Sequence, residues 1–512
     1  MHNGSFTLSG NLVDVQGARI FPATLYIASG RIIRVVPESQ KQDTFITPGL
    51  VDAHVHIESS MLYPAEFARV AMTHGTIAAV CDPHEIANVL GMAGIDYMLE
   101  NARTSPFMFA FGAPSCVPST TFETSGATIG VTEVAALLER EEITHLSEVM
   151  NYPGVIGRDP EVMAKIELAK RYGKPIDGHA PGISGEALKK YAMAGITTDH
   201  ETSSLEEAIE KIRMGMKILI RDGSAARDFE KLHPLIDNHS DRCMFCSDDK
   251  HPDDLVKGHM DALVRRAIAY GHDPLKVLRC ACLNPVTHYS LRMGLLQEGD
   301  PADFLVVDTL EDFTVLKTYI KGSLVADNGK PCLEYEQPEI INAFYSGLKH
   351  KGEFALRAGV GCANIIHASD SSLLTGWLKQ VPGVTNGFVM PDLNRDILKI
   401  AVVNRYGDNP PVMGLVKGFG LRKGALASSV AHDSHNIVAV GVTDKDIARA
   451  VNTVIANRGG LALAWGNMSE VLQLPIAGLM SDADSLQVAS CYSRLERFAK
   501  ELGSPMTAPF IT

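Results

Sequence analysis

No run of eighteen apolar residues occurs anywhere in the 512-residue chain, so a membrane-spanning helix is not expected. The opening MHNGSFTLSG lacks both the basic start and the apolar core of a secretory signal, which places the expected location in the cytoplasm. Paired CxxC motifs are missing among the nine cysteines, and the CAC at Cys280 and Cys282 is too tight for a zinc ribbon. The cysteines are therefore expected to be reduced and mostly buried. Basic residues are in deficit, with 47 Lys and Arg against 60 Asp and Glu and a net charge of −13. That balance argues against a nucleic-acid partner, which needs clustered Lys and Arg, and leaves a small molecule as the expected ligand. There is no low-complexity run and no short repeat, and the basic stretch KGFGLRKG is read as a solvated loop.

What is present is an ordinary globular composition, 46% hydrophobic and 21% charged, in a chain too long for one core. The α/β pattern predicts three units. Residues 1–48 read as short strands, including LVDV and ATLYIASGRIIRVV with a hairpin turn at Gly30 and Arg31. Strand-like runs return in DPADFLVVDTLEDFTVLKTYIKGSLVADNGK, so residues 1–48 with 285–330 are expected to form one small composite β-sandwich domain. Between them, over 49–284, eight strand-length apolar runs alternate with amphipathic stretches, the pattern of a parallel (β/α)8 barrel. The runs are ITPGLVDAHVH, TIAAVCD, FMFAFG, THLSEVM, PIDGH, ITTDH, MKILIRD and CMFCSDD. Residues 331–512 read as an α+β domain, with strands at NGFVMP, LKIAVVNRY and HNIVAVGV and a helix at DKDIARAVNTVIANRG.

Metal-ligand residue types stand at the ends of five of the eight runs. His54 and His56 are two apart on one strand, so both imidazoles point the same way. Glu148, His179, His200 and Asp248 end four others, on the face where barrel enzymes place their chemistry. An HxH pair alone carries little weight, because many histidines are satisfied by simple hydrogen bonds. Four histidines with two carboxylates form a costly buried cluster unless a cation compensates them, and the set is read as a metal centre.

The motifs TPGLVDAHVHIESSM, DPHEIANVLG, GHAPG, TDHE and SDDKHP, then PDLNRDILKIAVVNRYG and ASSVAHDSHNI, run through nearly the whole chain. They make it resemble the adenine deaminases of the amidohydrolase superfamily, the metallo-dependent hydrolases. The resemblance implies that His54, His56 and Asp248 hold one metal, that His179 and His200 hold another, and that Glu148 bridges them. Many relatives bridge with a carboxylated lysine, but THLSEVM contains none. It further implies two divalent ions, manganese or iron with zinc also fitting, a homo-oligomer (a dimer or higher), and hydrolysis of free adenine to hypoxanthine in purine salvage. Asp248 is expected to act as base, since water made acidic by two cations must lose a proton as it attacks C6. Glu85, near the end of the second strand, is expected to protonate the ring nitrogen N1, kept protonated by apolar surroundings and nearby carboxylates. His84 beside it is the next candidate.

The rivals are a cyclic amidase of the same superfamily, against which DPHEIANVLG weighs, and a metal-free scaffold, against which the complete ligand set weighs; an N6-substituted adenine as substrate stays open. Relative to the family it resembles, the chain starts late and stops early at MTAPFIT, so the C-terminal domain is expected to lack its last strands. Three readings of AHDSHN, with His432, Asp433 and His435, stay open: it closes the substrate pocket, holds an extra ion, or is a turn with satisfied side chains.

Overall fold

The computed structural model describes residues 4–370 and 374–511. Each of the eight apolar runs overlaps a strand: Leu50–Val55, Thr76–Cys81, Met108–Ala113, Ile143–Val149, Ile176–Gly178, Thr198–Asp199, Lys217–Arg221 and Cys243–Cys246. They are buried almost throughout, as parallel strands must be when helices cover one face and a packed interior the other. The first five lie side by side and parallel, as do the last three. Two seams close the ring. At one, Asp248 N donates to His54 O (2.9 Å) and His56 N to Asp248 O (3.2 Å); at the other, Thr197 N donates to Ile176 O (2.8 Å). The second seam needs a glycine, because a Cβ on Gly178 would lie 2.4 Å from the Thr198 carbonyl oxygen.

Helices fill the crossovers and carry recognisable starts. In Pro160–Arg171, Asp159 caps the N-terminus by accepting from Glu161 N and Val162 N, with proline in the first turn. Its inner face buries Lys165, Ile166 and Ala169, and the Lys165 ammonium donates to Ser115 O (2.9 Å) and Ile129 O (2.8 Å).

The two flanks of the barrel meet in one eight-stranded sheet. Phe6–Asp14, Arg19–Ala28, Arg31–Pro37 and Phe45–Pro48 come from one side, and Phe304–Val307, Val315–Ile320, Ser323–Asp327 and Lys330–Pro331 from the other. The joint is the antiparallel pair Phe45–Pro48 with Phe304–Val307, and Leu12, Leu25, Ile32, Ile46 and Phe304 form the core there. The Gly30 turn sits at φ +75°, the left-handed region that favours glycine.

The C-terminal region forms a second eight-stranded sheet, centred on Ile397–Val403, Ile437–Gly441 and Ala425–Ser428. Helix Asp444–Ala456, capped by the Thr443 side chain, buries Ile447, Val451 and Val454 against it. This domain rests on the barrel: Ser481 N donates to Met61 O (2.8 Å), Ser485 N to Glu66 Oε1 (2.8 Å), and the Tyr492 hydroxyl lies 3.1 Å from His251 Nδ1. Among the described residues, no helix is long and apolar enough to cross a membrane.

Candidate metal centre

The six strand-end residues converge on one point at the carboxyl end of the barrel. Glu148 is the hub: its Oε1 lies 3.3 Å from His56 Nε2, and its Oε2 lies 2.5 Å from His179 Nδ1 and 3.1 Å from His200 Nε2. Asp248 stands on the other side, its Oδ1 3.2 Å from His56 Nε2 and 3.5 Å from His54 Nε2. His54 and His200 stack with centroids 4.1 Å apart. All six are buried apart from His179, whose side chain is 28% exposed. Asp248 holds φ +56°, an uncommon conformation for a non-glycine residue, and the two backbone hydrogen bonds of the first seam pin it there.

Hydrogen-bond chemistry supports a cation here. His56 Nδ1 lies 3.2 Å from the Asp82 carbonyl oxygen, which can only accept, so Nδ1 is a donor there and Nε2 is the atom turned to the centre. His56 Nε2 faces carboxylate oxygens of both Glu148 and Asp248, part of a mostly buried cluster of imidazoles and carboxylates that a cation would compensate. His54 Nε2 is buried with no hydrogen-bond partner among the described residues. Donor atoms of His54, His56 and Asp248, and of His54, Glu148 and His200, lie within 4.8 Å of one another. Mixed imidazole and carboxylate sets of this kind suit divalent transition ions.

Below the ring, Asp52 locks the first and eighth strands together. It accepts from Ser247 N (3.0 Å), the Ser247 hydroxyl and His259 Nε2 (2.9 Å), while His259 Nδ1 meets the Thr76 hydroxyl (2.9 Å). Burial opposes ionisation of Glu148, yet His179, His200 and His56 hold its carboxyl well below the usual range. Burial likewise opposes ionisation of Asp248, outweighed by His54, His56 and Arg221.

Three residues at this centre escaped the sequence reading. Arg221, the last residue of the seventh strand, places Nη1 2.9 Å from Asp248 Oδ2, pairs with Glu201 Oε1, and donates through Nη2 to Asp228 Oδ2 (3.1 Å). Glu201 Oε1 stands 3.8 Å from His200 Nε2 and 3.9 Å from His179 Nδ1. Asp82 Oδ2 lies 3.1 Å from His84 Nδ1. The strand-end rule that found the six could have found Arg221 and Asp82 as well, because both finish an apolar run.

Glu85 corrects an expectation. It sits in the first turn of helix His84–Leu90, buried, with His432 Nδ1 on Oε1 and His435 Nε2 on Oε2. His84 Nε2 lies 3.4 Å from Glu85 Oε1, and His84 Nδ1 lies 3.4 Å from Glu148 Oε1, so His84 bridges the mouth and the centre. Burial would raise the Glu85 carboxyl, but His432, His84 and His435 hold it well below the usual carboxylate range. Glu85 is therefore an ionised carboxylate rather than a protonated acid in apolar surroundings. AHDSHN is carried over the barrel mouth, and Asp433 Oδ1 lies 3.8 Å from His84 Nε2.

A model of the amidohydrolase family matches residues 45–325, and a model of the adenine deaminase C-terminal domain matches residues 372–512. An adenine deaminase of Sulfurovum sp. (strain NBC37-1) is 53% identical over 506 residues, covering 99% of this chain and 93% of that one. An adenine deaminase of Salinibacter ruber is 52% identical over 510 residues, with the same coverage of 99% and 93%. Among solved structures, dihydropyrimidinase from Brevibacillus agri NCHU1002 superposes with a TM-score of 0.51 at 13% identity, over 64% of this chain and 96% of that one. The beta-aspartyl dipeptidase of Fervidobacterium islandicum gives a TM-score of 0.50 at 15% identity, over 65% and 100%. At such identities these two structures share the fold.

Proposed function

Because this chain belongs to the adenine deaminase family of the amidohydrolases, we propose that it hydrolyses free adenine to hypoxanthine and ammonia in purine salvage. The observation that carries the proposal is the Glu148 carboxylate with imidazoles on both of its oxygens, in a chain 53% identical to an adenine deaminase over nearly its whole length. In this proposal His54, His56 and Asp248 hold one divalent ion, His179 and His200 hold a second, and Glu148 is shared. Manganese or iron is the proposed metal, with zinc as the third choice. A cation pair held there supplies hydroxide at neutral pH by lowering the pKa of water.

The chain's own groups handle the protons. Adding water to C6 and breaking the bond from C6 to the exocyclic nitrogen leaves two protons of water to place. One ends on N1, where hypoxanthine keeps it, and the other converts the departing amino group to ammonia. Glu85, ionised at rest, takes the first proton at a carboxylate oxygen and delivers it to N1 as that nitrogen gains electron density. Asp248 takes the second and passes it to the leaving nitrogen, its other oxygen held by Arg221 throughout. His84, between Glu85 and Glu148, keeps the two carboxylates apart.

Ammonia release screened over adenine, N6-methyladenine, adenosine and a cyclic amide tests the proposal. Adenine should be the best substrate. Ring opening of the cyclic amide without deamination of adenine would overturn it in favour of a cyclic amidase.

A further inference from the structure

Resting on the deaminase proposal above, one feature goes further: the catalytic barrel's Glu85 is gripped by a loop of the C-terminal domain. His432 Nδ1 meets Oε1 and His435 Nε2 meets Oε2, 347 and 350 residues away in sequence. We propose that His432 and His435 are positioning residues, whose N–H groups fix the plane of the Glu85 carboxylate so that it faces N1 of the substrate.

The tautomers follow from the surroundings. His435 is fully buried, and its Nδ1 has no hydrogen-bond partner among the described residues, so the proton sits on Nε2 and is donated to Glu85. His432 presents Nδ1 instead, with its side chain 24% exposed. One lone pair on each carboxylate oxygen is thus occupied from the C-terminal side, and the others remain for the barrel interior. The grip is itself held. His435 N donates to Ala431 O (2.8 Å), the Tyr406 hydroxyl donates to Ser434 O (2.7 Å), and Asn436 Nδ2 donates across to Thr124 O of the barrel (2.8 Å). Without two donors, a carboxylate on the first turn of a helix could rotate about its side-chain bonds, and a small misplacement of a proton-transfer group costs rate steeply.

The use of different ring nitrogens gives a test that simple packing would not pass. The amide nitrogen of asparagine stands where histidine Nδ1 does, and that of glutamine reaches where Nε2 does. His432→Asn and His435→Gln therefore keep the donor, whereas His432→Gln and His435→Asn displace it. Each variant is purified as full-length protein and assayed with adenine, with bound metal measured in parallel. At position 432 the asparagine variant should exceed the glutamine variant in kcat by about tenfold or more, and at position 435 the order should reverse. KM and metal content should stay near those of the parent. Equal amides at both positions, whether near-normal or equally impaired, or the opposite order, would overturn the inference. His432, partly exposed, carries the test if the buried position does not tolerate change. A parent that releases no ammonia from adenine overturns the functional proposal and this inference with it; an active parent with indifferent variants overturns the inference alone.

Discussion

At the scale of single residues, charge placement decides what each carboxylate can do. Glu85→Gln keeps shape and hydrogen-bonding ability but cannot carry a proton. It should lower kcat by roughly 10²- to 10⁴-fold with bound metal unchanged, as checked by steady-state kinetics beside metal analysis. Arg221→Met should act differently. It strips the partner from Asp248, Glu201 and Asp228 together, all buried. Removing one member of a buried ion pair costs about 3–5 kcal/mol, so a clear fall in Tm should accompany the loss of activity. His145 supplies a pH-dependent counterpart. Burial pushes its imidazole down to about 3 from an ordinary 6.5, so below pH 6.5 the unfolded chain binds a proton that the folded chain refuses. Its contribution is intact above pH 6.5 and is lost as pH falls from there toward 3. Denaturant midpoints measured across that window should fall less steeply in His145→Gln than in the parent. The resting state of Glu85 was not legible in the sequence, because the histidines that set it lie some 350 residues away and nothing in DPHEIANVLG announces them.

At the scale of elements, most of the barrel was legible. Strands covered on both faces must be apolar throughout, and runs such as TIAAVC and CMFC stand out against the amphipathic stretches between them. Period two on the first strand put His54 and His56 on one side, and the structure brings both to Glu148 and Asp248. The least legible strand is the sixth, Thr198–Asp199, held mainly by its neighbours' register. Its seam with the fifth strand depends on Gly178, where an added Cβ would meet backbone that cannot swing aside. Gly178→Ala should therefore cost about 1–3 kcal/mol, the range of an overpacked core site. Since His179 follows directly, the same variant should bind less metal, read by melting and metal analysis of one preparation.

At the scale of the whole molecule, the C-terminal domain helps build the site, since its loop reaches Glu85 while its body docks through Ser481, Ser485 and Tyr492. Sequence pattern disclosed that domain's strands but left closure of AHDSHN on the barrel as one of three open readings, because docking depends on surfaces that no local periodicity records. The proposed metal centre draws its ligands from five barrel strands, so ions that bind the folded chain alone should stabilise it. Chelation should lower Tm by several degrees, and manganese or ferrous iron should restore both Tm and turnover, with about two ions bound per chain. The most direct test of the central claim follows product from metal-loaded protein given adenine or adenosine. The account predicts hypoxanthine and ammonia in equal amounts from adenine, with adenosine a far poorer substrate. Metal-loaded protein that leaves adenine untouched, or that forms inosine from adenosine at a comparable kcat/KM, would contradict it.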